Sequence, residues 1–172
     1  MNYFEFYKLP VSFLLEEKLV KEKYLILSRK FHPDFFTGAS AEKQREILAL
    51  STENNKAFQT LKNFDRRMKY ILMEKGFLVE EEKYSLAQLF LMEMMDLNEG
   101  IMAIDDDPSK KDEIIVQLSQ IEDELYSAVL PLLSAYNENT AVETDYLTIK
   151  EYYYKRKYLL RIREQLDKFA SP

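Results

Sequence analysis

Cysteine is absent from the 172-residue sequence. Without thiols the chain can carry no disulfide framework, no thiolate nucleophile, no cysteine-ligated zinc and no iron–sulfur cluster held by the usual protein thiolates. A reducing, cytoplasmic setting is the expectation. Glycine is almost as scarce, with only Gly38, Gly76 and Gly100, and no Gly-rich phosphate loop can be drawn from three isolated positions. Histidine occurs once, at His32. Long apolar runs are missing too. No stretch approaches the roughly 20 residues of a membrane helix, and the opening MNYFEFYKLP carries Glu5 in place of an apolar leader core. Neither a membrane nor a nucleic acid is expected as a partner.

What remains is 47% hydrophobic and 31% charged, the composition of an ordered helical protein with enough apolar matter for real cores. The length fits one medium domain or two small ones. The net charge of −6 is unevenly spread. Residues 1–75 hold 14 Lys and Arg against 10 Asp and Glu, whereas residues 76–172 hold 10 against 20. Two modules with different partners would have this asymmetry, and so would an ordinary solvated surface.

Hydrophobic spacing predicts helices throughout. NYFEFYKL forms a short one that stops at Pro10. From about Leu15, Val20, Tyr24, Leu27 and Phe31 recur at spacings of four, three and four, one stripe of an amphipathic helix. Pro33 disfavours the helical conformation at His32, and Asp34, Thr37, Gly38 and Ser40 supply turn chemistry. Ser40 is placed to cap a helix from about Ala41 to Leu61, with Ile47, Leu50, Asn54, Ala57, Phe58 and Leu61 on one side. The short joint makes these two helices antiparallel. A shorter helix over Asp65–Lys75 closes at Gly76.

GFLVEEEKYS, residues 76–85, reads as a connector between a module at 1–75 and one at 86–172. Three helical patterns follow it, at Leu86–Ile104, Asp112–Tyr136 and about Asp145–Phe169, and short joints fold them into an antiparallel three-helix bundle. Pro131 lies inside the second pattern and should kink or interrupt it near Val129 and Leu130. The DDDP segment before that helix reads as a helix-end turn, and no metal site is expected.

The first bundle helix is more apolar than one buried face requires. At about 100° per residue, Leu86, Phe90, Met94, Leu97, Ile101 and Ile104 share the core side. Leu91, Met92, Met95, Asp96, Glu99 and Met102 fall on the other. A face of methionines, a leucine and two acids suits protein binding, because the thioether chain adapts its shape. Burial of the helix on both sides would account for it equally. On the last helix Tyr152, Leu159 and Leu166 take the inner face, leaving Tyr154 and Tyr158 beside or outside it.

His32 invites an enzyme reading in which Asp34 orients it as a general base. No nucleophile motif, phosphate loop or ligand cluster accompanies it, so a small hydrolase is the weaker expectation. His32, Pro33 and Asp34 instead sit at the tip between two antiparallel helices, the first bearing Lys18, Lys21, Lys23, Arg29 and Lys30. With the segment NKAFQTLKNFDRRMKYIL, residues 1–75 resemble a J-domain. That resemblance implies that His32, Pro33 and Asp34 contact the nucleotide-binding domain and linker of an ATP-driven DnaK-type chaperone and stimulate its hydrolysis, with the five basic residues steering the approach.

J-domain proteins with a cysteine-rich zinc region and a Gly/Phe-rich linker are excluded by composition. NYFEFYKLP, YILMEKGF and LFLMEMMDLNE, together with the overall length, resemble the HscB-type co-chaperones of iron–sulfur cluster assembly. The resemblance implies an L-shaped, all-α protein: a J-domain, formed by an antiparallel helical hairpin with short flanking helices, plus a C-terminal three-helix bundle. It also implies that the bundle binds an IscU-type cluster scaffold through Leu91, Met92, Met95, Asp96, Glu99 and Tyr158. No cofactor and no catalytic site of its own are implied, the ATP being hydrolysed by a DnaK- or HscA-type partner. Three positions depart from the family pattern. Phe35 stands where a lysine is common, which removes one basic contact and leaves Phe35 to pack locally. Asp96 shortens a position often held by Glu, and Ala103 replaces an acid. A J-domain protein whose bundle serves a different client or dimerises is the alternative.

Overall fold

The computed structural model describes residues 2–168, and all regular structure among them is helical. The elements are α1 (Tyr3–Tyr7), α2 (Glu17–Lys30), a 3-10 turn (Pro33–Phe36), α3 (Ala41–Leu61), α4 (Phe64–Glu74), α5 (Gln88–Met102), α6 (Lys110–Ala135) and α7 (Glu143–Lys168). The chain forms two compact units. The N-terminal one runs to Lys75 and takes in the loop Tyr136–Thr140, while the C-terminal one holds Gly76–Ala135 and the chain from Ala141 onward.

In the N-terminal unit, α1 is only five residues long, too short to persist alone. It is held by a reciprocal cap. Asn2 Oδ1 accepts from the Glu5 amide at 2.9 Å, and Glu5 Oε2 accepts from the Asn2 amide at 3.0 Å. Helix α2 begins at Glu17 and not near Leu15, because Ser12 Oγ accepts from the Leu14 amide at 3.1 Å and donates to the Leu14 carbonyl at 2.9 Å, holding that stretch in a turn. Helices α2 and α3 are antiparallel. Tyr24 stacks on Phe58, with ring centroids 4.2 Å apart, while the turn after α2 lies beside Gln44 and Ile47 at the start of α3. Phe4, Phe13, Val20, Leu61 and Met68 are each 2% exposed or less, and full burial of such side chains contributes about 1.5–3 kcal/mol apiece.

Two polar side chains are buried in that core, and each has partners. Asn54 donates through Nδ2 to the Tyr24 carbonyl at 3.1 Å and to Ser28 Oγ at 3.0 Å, and its Oδ1 accepts from the Tyr7 hydroxyl at 2.9 Å. Arg67 donates through Nε to the Phe13 carbonyl at 3.0 Å and through Nη1 to the Leu61 carbonyl. Burial lowers the Arg67 pKa, with the nearby Asp65 carboxylate opposing the shift. Helix α4 ends at Lys75 as a cap, and Gly76 takes the left-handed conformation, φ 77°, that closes it.

In the C-terminal unit α5, α6 and α7 enclose one core, in which Met94, Leu118, Leu159, Ile162 and Leu166 are 2% exposed or less. Consecutive helices pair antiparallel, which leaves α5 and α7 parallel to each other. Gly100 of α5 lies against Ile114 of α6, while Glu93 lies across from Glu124. Arg163 of α7 donates through Nε and Nη2 to the carboxylate of Glu122 at 3.1 and 2.5 Å, while Thr148 lies beside Val129. A Cβ at Gly100 would come within 3.1 Å of Ile114 Cδ1, so the absent side chain lets α6 approach closely.

Residues 82–84 are tied to α7. Lys150 Nζ pairs with Glu82 Oε1 at 2.5 Å, and Tyr84 stacks on Tyr154 with centroids 4.4 Å apart and planes 5° from parallel. The hydrogen bond from Lys150 holds the Glu82 carboxyl below the usual range.

The structure shortens the sequence-based bounds of α5 to Gln88–Met102, and the expected end of α7 at Phe169 lies outside the described residues. Helix α6 begins earlier than expected, at Lys110, and runs unbroken through Pro131. Proline removes the donor for the Ser127 carbonyl, and Pro131 and Ser127 both lie on the exposed side of α6, where water can satisfy that carbonyl. The DDDP segment is a turn, with Asp107 Oδ1 accepting from the Ser109 amide at 3.2 Å and hydroxyl at 2.6 Å.

Candidate functional site

The two groups of residues picked out by sequence fall on separate units. At the tip of the N-terminal unit, α2 ends at Lys30 because Pro33 forces His32 into extended backbone, φ −72° and ψ 122°. His32 then caps the 3-10 turn. Its Nδ1 accepts from the Asp34 amide at 3.3 Å, and Phe35 N donates to the His32 carbonyl at 3.1 Å. An accepting Nδ1 leaves the ring proton on Nε2. Asp34 Oδ2 lies 3.8 Å from the same Nδ1, and 82% of the Asp34 side chain is exposed. The tip thus offers a carboxylate and an imidazole edge on a backbone already fixed by Pro33. The His32 ring meets that of Phe35, with centroids 5.4 Å apart. Phe35 does pack locally, on that ring, and stays 73% exposed.

The remainder of the loop is stapled by a residue that sequence reading missed. Gln44 Nε2 donates to the carbonyls of both Thr37 and Ala39 at 3.0 Å. The signal was a polar side chain in the first turn of a helix facing a Gly-containing loop, too common a pattern to single out. Behind the tip, Phe31 meets Phe6 with centroids 6.5 Å apart, and Lys30 Nζ sits 5.3 Å from the Phe31 ring centre.

The five basic residues of α2 do not form one patch. At about 100° per residue, Lys18, Lys21 and Arg29 share an arc of about 80°, and Lys23 and Lys30 are set off from it by about 100°. Leu25, 44% exposed, falls within the first arc and Ile26, 61% exposed, between the two groups, and sequence reading had assigned them no role.

On α5 both faces are where the periodicity puts them. Phe90, Met94, Leu97, Ile101 and Ile104 are 7% exposed or less. On the opposite side Leu91, Met92, Met95 and Met102 are 38%, 55%, 60% and 76% exposed, and Asp96 and Glu99 are exposed with them. This helix is therefore not buried on both sides. Tyr158 is not part of the outward stripe. It lies half-buried at the seam of α7 on α5, edge-on to Phe90 at 6.1 Å between centroids, with the Arg161 guanidinium 5.5 Å from its ring. Leu89, 82% exposed, extends the stripe at its N-terminal end. Asp96 also lines a groove of about 310 Å³ between α5 and α6, with Glu93, Gln117, Gln120 and Glu124 at its walls and Leu97 and Ile121 at its floor.

Among the described residues no group of three or more His, Asp or Glu side chains is arranged to hold a metal ion, and no helix is long and apolar enough to cross a membrane. The geometry is that of two exposed recognition surfaces, one polar and conformationally fixed, the other apolar with flanking acids.

Residues 86–167 match the family model described as the HSCB C-terminal oligomerisation domain. Over 172 aligned residues the chain is 31% identical to the co-chaperone protein HscB homolog of Shewanella halifaxensis, covering 98% of this chain and 96% of that protein. The solved structure of human co-chaperone protein HscB aligns with a TM-score of 0.82 at 25% identity, covering 100% of this chain and 83% of that one. Chaperone HscB from Vibrio cholerae has the same fold, with a TM-score of 0.76 at 24% identity over 99% and 98% of the two chains.

Proposed function

The chain belongs to the HscB family of co-chaperones, and on that footing we propose that it delivers an IscU-type cluster scaffold to a DnaK- or HscA-type chaperone and triggers ATP hydrolysis there. Residues 1–75 act as the J-domain, residues 76–85 as a connector and residues 86–172 as the scaffold-binding bundle. The observation that carries this reading is the presence, in one chain, of a fixed His32–Asp34 tip and a solvent-facing Met-rich stripe with its own core behind it.

Each surface has a defined job. Asp34, exposed on a rigid turn, pairs with a cationic side chain of the chaperone, while Lys18, Lys21 and Arg29 steer the approach and Lys23 and Lys30 contribute from the flank. On α5, Leu91, Met92 and Met95 bury against the scaffold, Asp96 and Glu99 fix its register, and Tyr158 supports the seam through Phe90. One molecule that holds both partners raises their mutual effective concentration into the range of tethered encounters. The chain supplies no catalytic group, and hydrolysis takes place in the chaperone. The reading has the protein act in the cytoplasm beside both partners.

The test joins two assays on the full chain: calorimetric titration against purified scaffold, and single-turnover ATP hydrolysis by the chaperone with and without this protein. Saturable scaffold binding together with stimulated hydrolysis is expected; failure of either removes the corresponding half of the reading. The description of the matched family as an oligomerisation domain favours a second reading, in which the α5 stripe pairs with another copy of the chain. Sedimentation of the protein alone separates the two, because self-pairing produces a concentration-dependent dimer with no scaffold present.

A further inference from the structure

The sulfur of this protein is distributed in an unusual way. There are no cysteines, so methionine is the chain's only sulfur chemistry. Met68 and Met94 are fully buried at 0% exposure, whereas Met92, Met95 and Met102 are 55%, 60% and 76% exposed. All three project from the outward side of α5, within an arc of about 80°. Met73, 37% exposed, is the intermediate case on α4.

We propose that Met92, Met95 and Met102 form an oxidation-sensitive site through which peroxide switches the docking face of α5 off. This rests on the reading of that face as the scaffold-binding surface. A thioether sulfur attacks one oxygen of hydrogen peroxide; the S–O bond forms, the O–O bond breaks, and after proton transfer water leaves. Sulfur is oxidised by two electrons and the peroxide is reduced by two. The product sulfoxide is polar, chiral and a strong hydrogen-bond acceptor. On a free surface it is hydrated at little cost. Against an apolar partner it must be desolvated without a donor, which weakens docking for each buried group. The buried Met94, on the core side of the same helix, is shielded from the oxidant, so the helix itself persists. The change is reversible by methionine sulfoxide reductases, unlike the higher oxidation states of cysteine.

The experiment treats the full-length protein with hydrogen peroxide, removes the oxidant with catalase, and maps sulfoxides by peptide mass spectrometry before titrating against untreated scaffold. Met92, Met95 and Met102 should oxidise before Met73, and Met68 and Met94 last. Scaffold affinity should fall at least tenfold and return after treatment with the reductases, while circular dichroism and stimulation of the chaperone ATPase by the tip stay unchanged. The triple variant Met92→Leu, Met95→Leu, Met102→Leu has no thioether on this face, so its scaffold affinity, whatever its starting value, should be the same before and after peroxide treatment. Unchanged affinity of the mapped, oxidised wild type overturns the proposal, as does equal peroxide sensitivity in the leucine variant. If the reduced wild type binds no scaffold, the docking assignment has failed instead, and the two failures are distinct.

Discussion

The hydroxyl of Tyr7 donates to Oδ1 of Asn54 at 2.9 Å in a site where both side chains are 2% exposed or less. The same amide reaches from α3 to the Tyr24 carbonyl and the Ser28 hydroxyl of α2, so one side chain joins three helices. Burial without these partners would be unfavourable; with all of them in place it fixes the register of α2 against α3, and with it the height of the His32 tip.

Asn54→Ala should therefore destabilise the N-terminal unit by about 2–3 kcal/mol, since it removes the buried hydrogen bonds to the Tyr24 carbonyl and the Ser28 hydroxyl and leaves the Tyr7 hydroxyl only the residue 54 carbonyl, at 3.1 Å. Tyr7→Phe removes the donor while retaining the ring, and should cost about 1 kcal/mol. Urea denaturation followed by circular dichroism measures both. Equal stabilities for wild type and Asn54→Ala would contradict the role assigned to this amide.

At the tip, His32→Gln should abolish stimulation of the chaperone ATPase and leave scaffold affinity intact, because the imidazole is half exposed and supports no core contact. Gln44→Ala separates positioning from contact. It frees the carbonyls of Thr37 and Ala39 to water and should lower stimulation only a few-fold, with partial rescue by higher protein concentration. Abolition by Gln44→Ala would mean that this side chain meets the chaperone itself.

On α5, the triple change Leu91→Ala, Met92→Ala, Met95→Ala should weaken scaffold binding at least tenfold and leave ATPase stimulation by the tip unaltered. Stability should shift by less than about 0.5 kcal/mol per site, as expected where an exposed side chain is shortened. Calorimetric titration provides the readout. Undiminished affinity would place the scaffold elsewhere on the bundle.

Glu82 supplies a pH dependence whose sign is fixed. The Lys150 hydrogen bond keeps its carboxyl below the usual value of 4.5 in the folded protein. Stability from such a group is fully present above the unfolded value and is lost as pH falls through the folded one. The difference in stability between wild type and Glu82→Gln should therefore be on the order of 1 kcal/mol at neutral pH and shrink as pH falls below about 4.5. Denaturation curves at pH 7, 5 and 3 measure it. A difference that does not vary with pH would detach it from this ion pair.

How far the sequence could be read follows the range of the interactions involved. The two faces of α5 were legible because burial and exposure alternate with a period that one helix imposes on its own residues. The bend at His32 was legible because proline acts on its immediate neighbour. Asn54 was placed on the inner side of α3, but its partners lie 47, 30 and 26 positions away, and no local pattern names them. The Gln44 staple reaches back only seven and five positions, but a polar side chain near the start of a helix is too common a pattern to name its partners. Of the two outcomes expected at Pro131, interruption does not occur, because Ser127 and Pro131 lie on the exposed side of α6 and water can satisfy the freed carbonyl. Tyr158 was assigned to scaffold binding by resemblance alone; it lies half-buried at the seam of α7 on α5, edge-on to Phe90, and no local pattern set it apart from its neighbouring tyrosines.

The opposition of the two faces of α5 has an evolutionary consequence. Changes at Phe90, Met94, Leu97 and Ile101 are screened by folding, whereas, on the proposed function, changes at Leu91, Met92, Met95, Asp96 and Glu99 are screened by the partner alone. The outward positions are free to drift in step with a diverging scaffold while the inward ones stay fixed. Lineages can thus acquire mutually exclusive scaffold pairings by rewriting one side of a single helix, with no change to the bundle that carries it or to the tip that addresses the chaperone.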